Sequence, residues 1–230
     1  MARHPLPLWA VGAGTTPRRS ALSVSRVLPL ILAVVGTFID PAAAQDNETF
    51  LQQGPRIGHV ALENPADLSR EDAEATYQAI QAEMAQGYGL SGVPGSRRYT
   101  AWQRFNNAPY RSAQHGERFV NNYGNAAAAS YGRYEDAGTM PVGAILAKDS
   151  FTVTAEGHVY AGALFLMEKM PAGFRPETKD WRYSMILPDG SLYGTTDGAG
   201  DDQVTFCADC HRAAGDDRDH LFLIPEDYRK

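Results

Sequence analysis

The chain has few cysteines, no excess of basic residues and no apolar run of membrane-spanning length. Its two cysteines, Cys207 and Cys210, exclude a framework of several disulfides. With 21 Lys and Arg against 27 Asp and Glu, the net charge of -6 argues against nucleic acid and anionic lipid as partners. The apolar run VLPLILAVVGTFI at 27–39 is shorter than the roughly 20 residues that a transmembrane helix needs.

The first 44 residues have the organisation of a signal peptide. A basic region containing Arg18, Arg19 and Arg26 flanks the apolar run, and PAAAQ at 41–45 offers a small-residue cleavage site. We therefore predict cleavage after Ala44 and export to the periplasm, without stable contact with the membrane.

The two cysteines stand three positions apart in TFCADCHRAAG (205–215), and a histidine follows the second. A disulfide between them would close a very short loop and add little stability. A structural zinc site needs four ligands, and no second Cys/His cluster is present in the sequence to complete one. A redox dithiol is expected near the start of a βαβ domain. The spacing favours covalent haem c, with Cys207 and Cys210 as thioether anchors and His211 as the proximal iron ligand.

Periodicity predicts one long helix followed by strands. The helix begins at Ser69, which has Asp72 three residues later as in a capping box, and it ends at the glycines of 87–89. Its apolar stripe consists of Ala73, Tyr77, Ile80 and Met84. Strands are predicted at 117–124, 143–153, 158–170 and 181–188, a short helix at 125–136, and a second helix around the haem motif.

This pattern does not fit two common kinds of c-type cytochrome. An ordinary single-haem electron carrier has its motif near the N-terminus and uses a downstream methionine as second axial ligand, whereas no methionine follows His211 here. A helical-bundle cytochrome needs four long amphipathic helices, and only one is predicted. A strand-rich domain with a C-terminal haem motif remains.

Five stretches, in matching order, carry a resemblance to a known family. They are HGERFVNNYGNAAAASY (115–131), MPVGAILAKDSF (140–151), GALFLMEKMPAGFRPETKDWRYSMILPDG (162–190), FCADCH (206–211) and DHLFLIPEDYR (219–229). From about Tyr99 to its end the chain resembles the cytochrome P-460 family, which includes the β-sheet cytochromes c-prime. The resemblance implies an α+β fold: a small antiparallel β-sheet domain with flanking helices and one haem c. The expected organisation is a signal peptide at 1–44, an N-terminal extension with one helix at 45–98 and the haem domain at 99–230.

The resemblance implies one of two functions. The P-460 proteins proper oxidise hydroxylamine with nitric oxide as intermediate, and their haem carries a third covalent bond from a lysine nitrogen to a meso carbon. The β-sheet cytochromes c-prime lack that bond and bind nitric oxide. Both kinds leave the iron five-coordinate and open to a small nitrogen ligand. We expect hydroxylamine oxidation towards nitrous oxide or nitrite, with electrons passed to a soluble cytochrome, and a non-enzymatic nitric-oxide-binding or electron-transfer protein as the alternative. A homodimer is a further expectation, because dimers are common in such proteins.

By the context of LAKDSF, Lys148 corresponds to the lysine that bonds the haem. Strand alternation places Lys148 on one face with Ala144 and Leu146. An unprotonated amine in an apolar pocket is nucleophilic enough to attack an oxidised porphyrin edge. The alternative is a solvated lysine at the end of a strand.

The candidate proton acceptor is Glu168 in LFLMEKM, which alternation places with Leu164 and Leu166. A carboxylate on an apolar face near haem would have a raised pKa and could take protons from bound hydroxylamine. The alternative is a strand-edge carboxylate paired with Lys169 or Arg182.

Three further residues, Arg104, His115 and Arg118, are candidates for contact with the haem propionates or with the distal ligand, and the sequence does not choose between these roles. For Arg118 a surface salt bridge is the alternative.

Overall fold

A computed structural model describes residues 66–230. The signal peptide predicted at 1–44 and residues 45–65 of the predicted N-terminal extension lie outside the described residues. The predicted α+β class is confirmed, because the described part of the chain forms one antiparallel sheet of eight strands with a few helices. The strands are β1 Gln103–Arg104, β2 Tyr110–Ser112, β3 Arg118–Gly124, β4 Ile145–Val153, β5 Val159–Ala161, β6 Leu164–Lys169, β7 Trp181–Ile186 and β8 Leu192–Thr195. Their order is β1-β3-β4-β6-β7-β8, with β2 paired to β3 and β5 paired to β4.

Helix α1, Arg70–Tyr88, begins and ends where the sequence predicts. The Ser69 hydroxyl accepts a hydrogen bond from the Asp72 N–H at 3.1 Å, which satisfies one of the unpaired donors of the first turn. Gly89 caps the other end. Tyr77 and Met84, from the predicted stripe, are buried, so the helix is held mainly by packing of its apolar face on the sheet.

Both faces of the sheet are buried. On the helix-side face, Phe151, Leu164 and Leu166 pack in one core cluster with residues of α1. On the opposite face, called the cavity-side face because it borders the cavity described below, Met167 and Tyr183 belong to a second cluster. The half-buried Leu146 packs against this second cluster, as does Cys207 from helix α2, Thr205–Arg212. Because successive strand residues point to opposite faces, burial on both sides makes every strand residue a candidate for one core or the other.

The sequence prediction of a single strand over 158–170 is wrong, because the chain there forms two strands, β5 and β6. Both pair with β4 on its same side and are separated at Gly162, whose N–H donates to the Ser150 carbonyl at 2.7 Å. A Cβ at Gly162 would lie 2.8 Å from Cδ of Arg118 and still closer to the Ser150 hydroxyl. The close approach of these groups therefore favours glycine at the break.

Three short strands are absent from the sequence prediction. Strands β1, β2 and β8 have two, three and four residues, which is too short for an alternating pattern to stand out. The helix predicted at 125–136 is a 3-10 helix, Ala126–Asp136, interrupted at Tyr134 where φ is 53°. Within residues 66–230 no helix is both long enough and apolar enough to cross a membrane.

Candidate haem-binding site

A partly open cavity lies on the cavity-side face of the sheet. Its floor is formed by strands β3, β4, β6 and β7, and its other walls by helix α2, the turn at 114–115, Tyr131 and the segment at 221–222. Most of the lining is apolar or aromatic, with Leu146, Phe165, Met167 and Phe222 among its residues. A concave apolar site with a small number of polar groups is the usual form of a cofactor pocket.

The two cysteines reach this cavity from helix α2. Cys207 and Cys210 lie three residues apart, which places them on the same side of a helix, and both line the cavity. They are not joined to each other. Burial raises the pKa of the Cys207 thiol to about 12, so it is protonated at neutral pH. Between residues 66 and 230 no cluster of three or more His, Cys, Asp or Glu side chains is placed to hold a metal ion by itself.

The imidazole of His211 is held in the orientation that an axial ligand needs. Its Nδ1 lies 2.9 Å from the backbone carbonyl of His220, which can only accept, so Nδ1 carries the proton and Nε2 is the nitrogen with a lone pair. The ring packs against Tyr183 and Phe222, with centroids 5.3 and 5.5 Å away. Burial lowers the pKa of His211 to about 4, so the ring is neutral at neutral pH, as metal coordination requires.

The carbonyl that orients His211 belongs to an anchored turn. One oxygen of the buried Asp219 carboxylate lies 2.6 Å from Nζ of Lys169, and the other accepts the Met140 N–H at 2.9 Å. The backbone carbonyl of Asp219 accepts from the indole N–H of Trp181 at 2.8 Å. These contacts fix the residue directly before His220, and no local sequence signal marks Lys169 or Asp219 as partners because they are 50 positions apart.

Lys148 lies in the cavity with the motif residues. On β4 it is flanked by Asn122 of β3 and Phe165 of β6, and all three residues line the cavity. Burial lowers the pKa of its ammonium group to about 8, although a nearby Cys210 acts in the opposite direction. At pH 7 about a tenth of this amine is therefore neutral, far more than for an exposed lysine. The alternative of a solvated lysine at a strand end does not describe this position; the bond to haem stays a prediction.

Glu168 is not brought to the cavity. Phe165 and Met167 carry the cavity-side face of β6, so Glu168 falls on the other face with Leu164. Its carboxylate lies 3.4 Å from the guanidinium of Arg182, its neighbour on β7. The structure therefore has the ion pair with Arg182 that the sequence analysis gives as the alternative. The position of Glu168 does not support its assignment as the proton acceptor.

The cavity has polar lining residues that the motif does not announce. His115, Asn122, Tyr131 and Tyr183 all border it, and no Asp or Glu is found in the lining among the described residues. The Tyr183 hydroxyl is buried and has no hydrogen-bond partner among the described residues. Only the folding of distant strands places these side chains together, so sequence spacing could not have identified them as a set.

The residues present fit a haem group. The cavity is largely apolar and partly open, two thiols line it at the thioether spacing, and a neutral, oriented imidazole lies beside them. Cys207 and Cys210 would hold the porphyrin edge, and His211 would bind the iron. Fold and cavity together define a small α+β domain with a largely apolar site for a cofactor.

Comparison with known families agrees with this description. The model of the family Cytochrome P460 matches residues 96–223. The chain therefore belongs to the cytochrome P460 family and is a haem-binding, iron-containing cytochrome. A search of curated proteins finds no match to it.

Proposed function

We propose that this chain is an exported mono-haem c-type cytochrome that oxidises hydroxylamine at five-coordinate iron and passes the electrons to a soluble cytochrome. The observation that carries the proposal is the position of Lys148. It lines the same cavity as both cysteines and His211, and its pKa is lowered to about 8. A partly neutral amine at that place is what the third haem bond of the P-460 proteins requires.

Each of these side chains has a distinct role in the proposal. The thiols of Cys207 and Cys210 would each add across one vinyl group of the porphyrin. His211 would coordinate the iron through Nε2, and Lys148 would form a carbon–nitrogen bond with loss of two hydrogens to an oxidant such as peroxide. Haem c, once attached, supplies the redox-active iron at which a small nitrogen ligand binds. Attachment of this kind takes place outside the bacterial cytoplasm, which agrees with the leader expected at 1–44.

A second function is favoured by one specific observation. No carboxylate lines the cavity in the part of the chain that the structure describes, and its walls are rich in aromatic rings. Such a pocket is suited to binding nitric oxide, which requires no proton transfer. The alternative is therefore a nitric-oxide-binding or electron-transfer protein of the β-sheet cytochrome c-prime type.

The deciding experiment compares the wild-type holoprotein with Lys148→Arg, and uses Lys179→Arg as a matched control at a half-exposed lysine. After exposure to peroxide, the wild type and the control should show a red-shifted ferrous Soret band, a mass two hydrogens below the thioether adduct and hydroxylamine-dependent reduction of a cytochrome acceptor. Lys148→Arg should lose all three and still bind nitric oxide. A wild type with an ordinary haem c spectrum, no hydroxylamine consumption and nitric oxide binding would overturn the enzymatic proposal in favour of the second function.

A further inference from the structure

The proposed oxidation needs a proton acceptor, and Glu168 does not provide it. Conversion of one hydroxylamine to nitric oxide releases three electrons and three protons, so a base must lie within reach of the ligand. The described groups in the cavity wall that can exchange protons are two histidines, one lysine, two cysteines and the tyrosines. His211, both cysteines and Lys148 are assigned to the haem in the proposal above. Burial raises the pKa of Tyr123, of Tyr131 and of Tyr183, so none of them is a base near neutral pH.

From this set we infer that His115 is the proton acceptor of the cavity, a role that rests on the proposed function. His115 ends the short 3-10 turn Ala113–His115, just ahead of β3, and it lines the cavity. Its ring meets Phe165 edge-on, with the centroids 5.0 Å apart. Phe165 is the residue directly across from Lys148 on the neighbouring strand. His115 and Lys148 therefore flank the same aromatic ring of the wall.

Hydrogen bonds hold His115 in place without blocking a change of charge. Its Nδ1 lies 2.8 Å from the hydroxyl of Ser112, at the end of β2. Because a hydroxyl can donate or accept, this contact is compatible with both the neutral ring and the protonated ring. The backbone carbonyl of His115 also accepts a hydrogen bond from Nη1 of Arg118 at 3.4 Å. One ring nitrogen and the backbone of His115 are thus each held by a hydrogen bond, and a side chain positioned in this way is suited to repeated proton transfer.

The charged groups around His115 come from strands β2, β3 and β4 and from the turn between β2 and β3. Arg118 begins β3 and is 4% exposed, and no ion pair is found for it within residues 66–230. Glu117, in the adjoining turn, has its carboxylate 3.1 Å from the guanidinium of Arg111 on β2. Lys148 borders the cavity from β4. Imidazole ordinarily titrates near pH 6.5, within the range where its protonation can be followed.

Cyanide binding to the ferric holoprotein tests this role without hydroxylamine turnover, because hydrogen cyanide must lose its proton to bind as the anion. We expect the association rate of the wild type to rise through an ionisation in the imidazole range. His115→Gln should lower the rate at pH 7 at least about tenfold and remove that inflection, in line with general-base contributions. The exposed His158 gives the matched control, His158→Gln, which should behave like the wild type. Nitric oxide binding to the ferrous protein should be unchanged in both variants.

Ser112→Ala provides a second test should His115→Gln not mature. It removes the contact at Nδ1 and should shift the inflection in the cyanide profile without affecting nitric oxide binding. The inference would be overturned if His115→Gln had the same pH profile of cyanide association as the wild type. If His115→Gln does not mature, an unchanged profile in Ser112→Ala would overturn it. If the wild type does not oxidise hydroxylamine and yet His115→Gln loses the inflection, the proposed function fails while His115 stands as the base of the cavity.

Discussion

Replacing Asp219 by asparagine should strongly destabilise the domain. The substitution keeps the shape of the side chain and removes the charge that faces Lys169, whose Nζ lies 2.6 Å from the carboxylate. Both side chains are buried, at 9% exposed for Lys169 and 2% for Asp219. The variant leaves the ammonium group with the Lys179 carbonyl at 2.7 Å and the face of Trp181 at 4.9 Å.

Breaking a buried ion pair on one side destabilises a protein by about 3–5 kcal/mol, because the remaining charge is neither solvated nor paired. That is a large part of the roughly 5–15 kcal/mol by which a domain is stable. Removing the second charge as well, as in Lys169→Met with Asp219→Asn, should be much less harmful than Asp219→Asn alone, because no unpaired charge is left and the amide oxygen can still accept the Met140 N–H. The double variant therefore separates the penalty of an unpaired charge from the net worth of the pair.

Guanidinium unfolding of the holoprotein, followed by far-UV circular dichroism, measures the effect. Asp209→Asn is the matched control, since this carboxylate is 67% exposed and pairs with Arg212 at the surface, and it should not change the midpoint measurably. A loss below about 1 kcal/mol for Asp219→Asn would refute the reasoning, because it would place the pair in a well-solvated environment.

Two further predictions concern the helix-side face of the sheet and the break between β5 and β6 at Gly162. Burial raises the pKa of Asp149 to about 6 in the folded protein. The folded state therefore holds this proton more tightly than the unfolded state does, and the resulting stabilisation is fully present below about pH 4. About 3 kcal/mol of unfolding free energy is lost as the pH rises through 6. Asp149→Asn should flatten the fall in unfolding free energy between these pH values, and an unchanged slope would contradict the assignment. Gly162→Ala should destabilise the fold by about 1–3 kcal/mol, because the new methyl group meets Ser150 and Arg118. Combining it with Ser150→Ala should restore part of the loss in the same unfolding assay, and a fully stable Gly162→Ala would show that the backbone there is free to move.

The elements that the sequence predicts well are long and strongly periodic. Helix α1 has a cap at Ser69 and a regular apolar stripe, so local signals determine both its type and its ends. Strands β3, β4 and β7 have six to nine residues, enough for β-branched and aromatic residues to stand out. Strands β1, β2 and β8 are held by pairing with neighbours distant in sequence, and their own residues carry little signal.

Site residues follow the same rule. Cys207, Cys210 and His211 form one local motif, so five consecutive positions suffice to predict them. For Glu168 the sequence predicts the same alternation along β6 that the structure has, but alternation does not tell which face holds the cavity when both faces are buried. His115 is a single histidine in a turn, and only the pairing of β2 with β3 and the packing on Phe165 bring it to the site.

The most direct test of the account is the intact mass of the exported protein, purified from cells with a c-type maturation system and measured under denaturing conditions. We expect the mass of the polypeptide beginning near Gln45 plus one haem, and loss of this adduct in the variant Cys207→Ser with Cys210→Ser. A wild-type mass equal to that of the bare polypeptide would show that no haem is attached and would refute the assignment of Cys207 and Cys210.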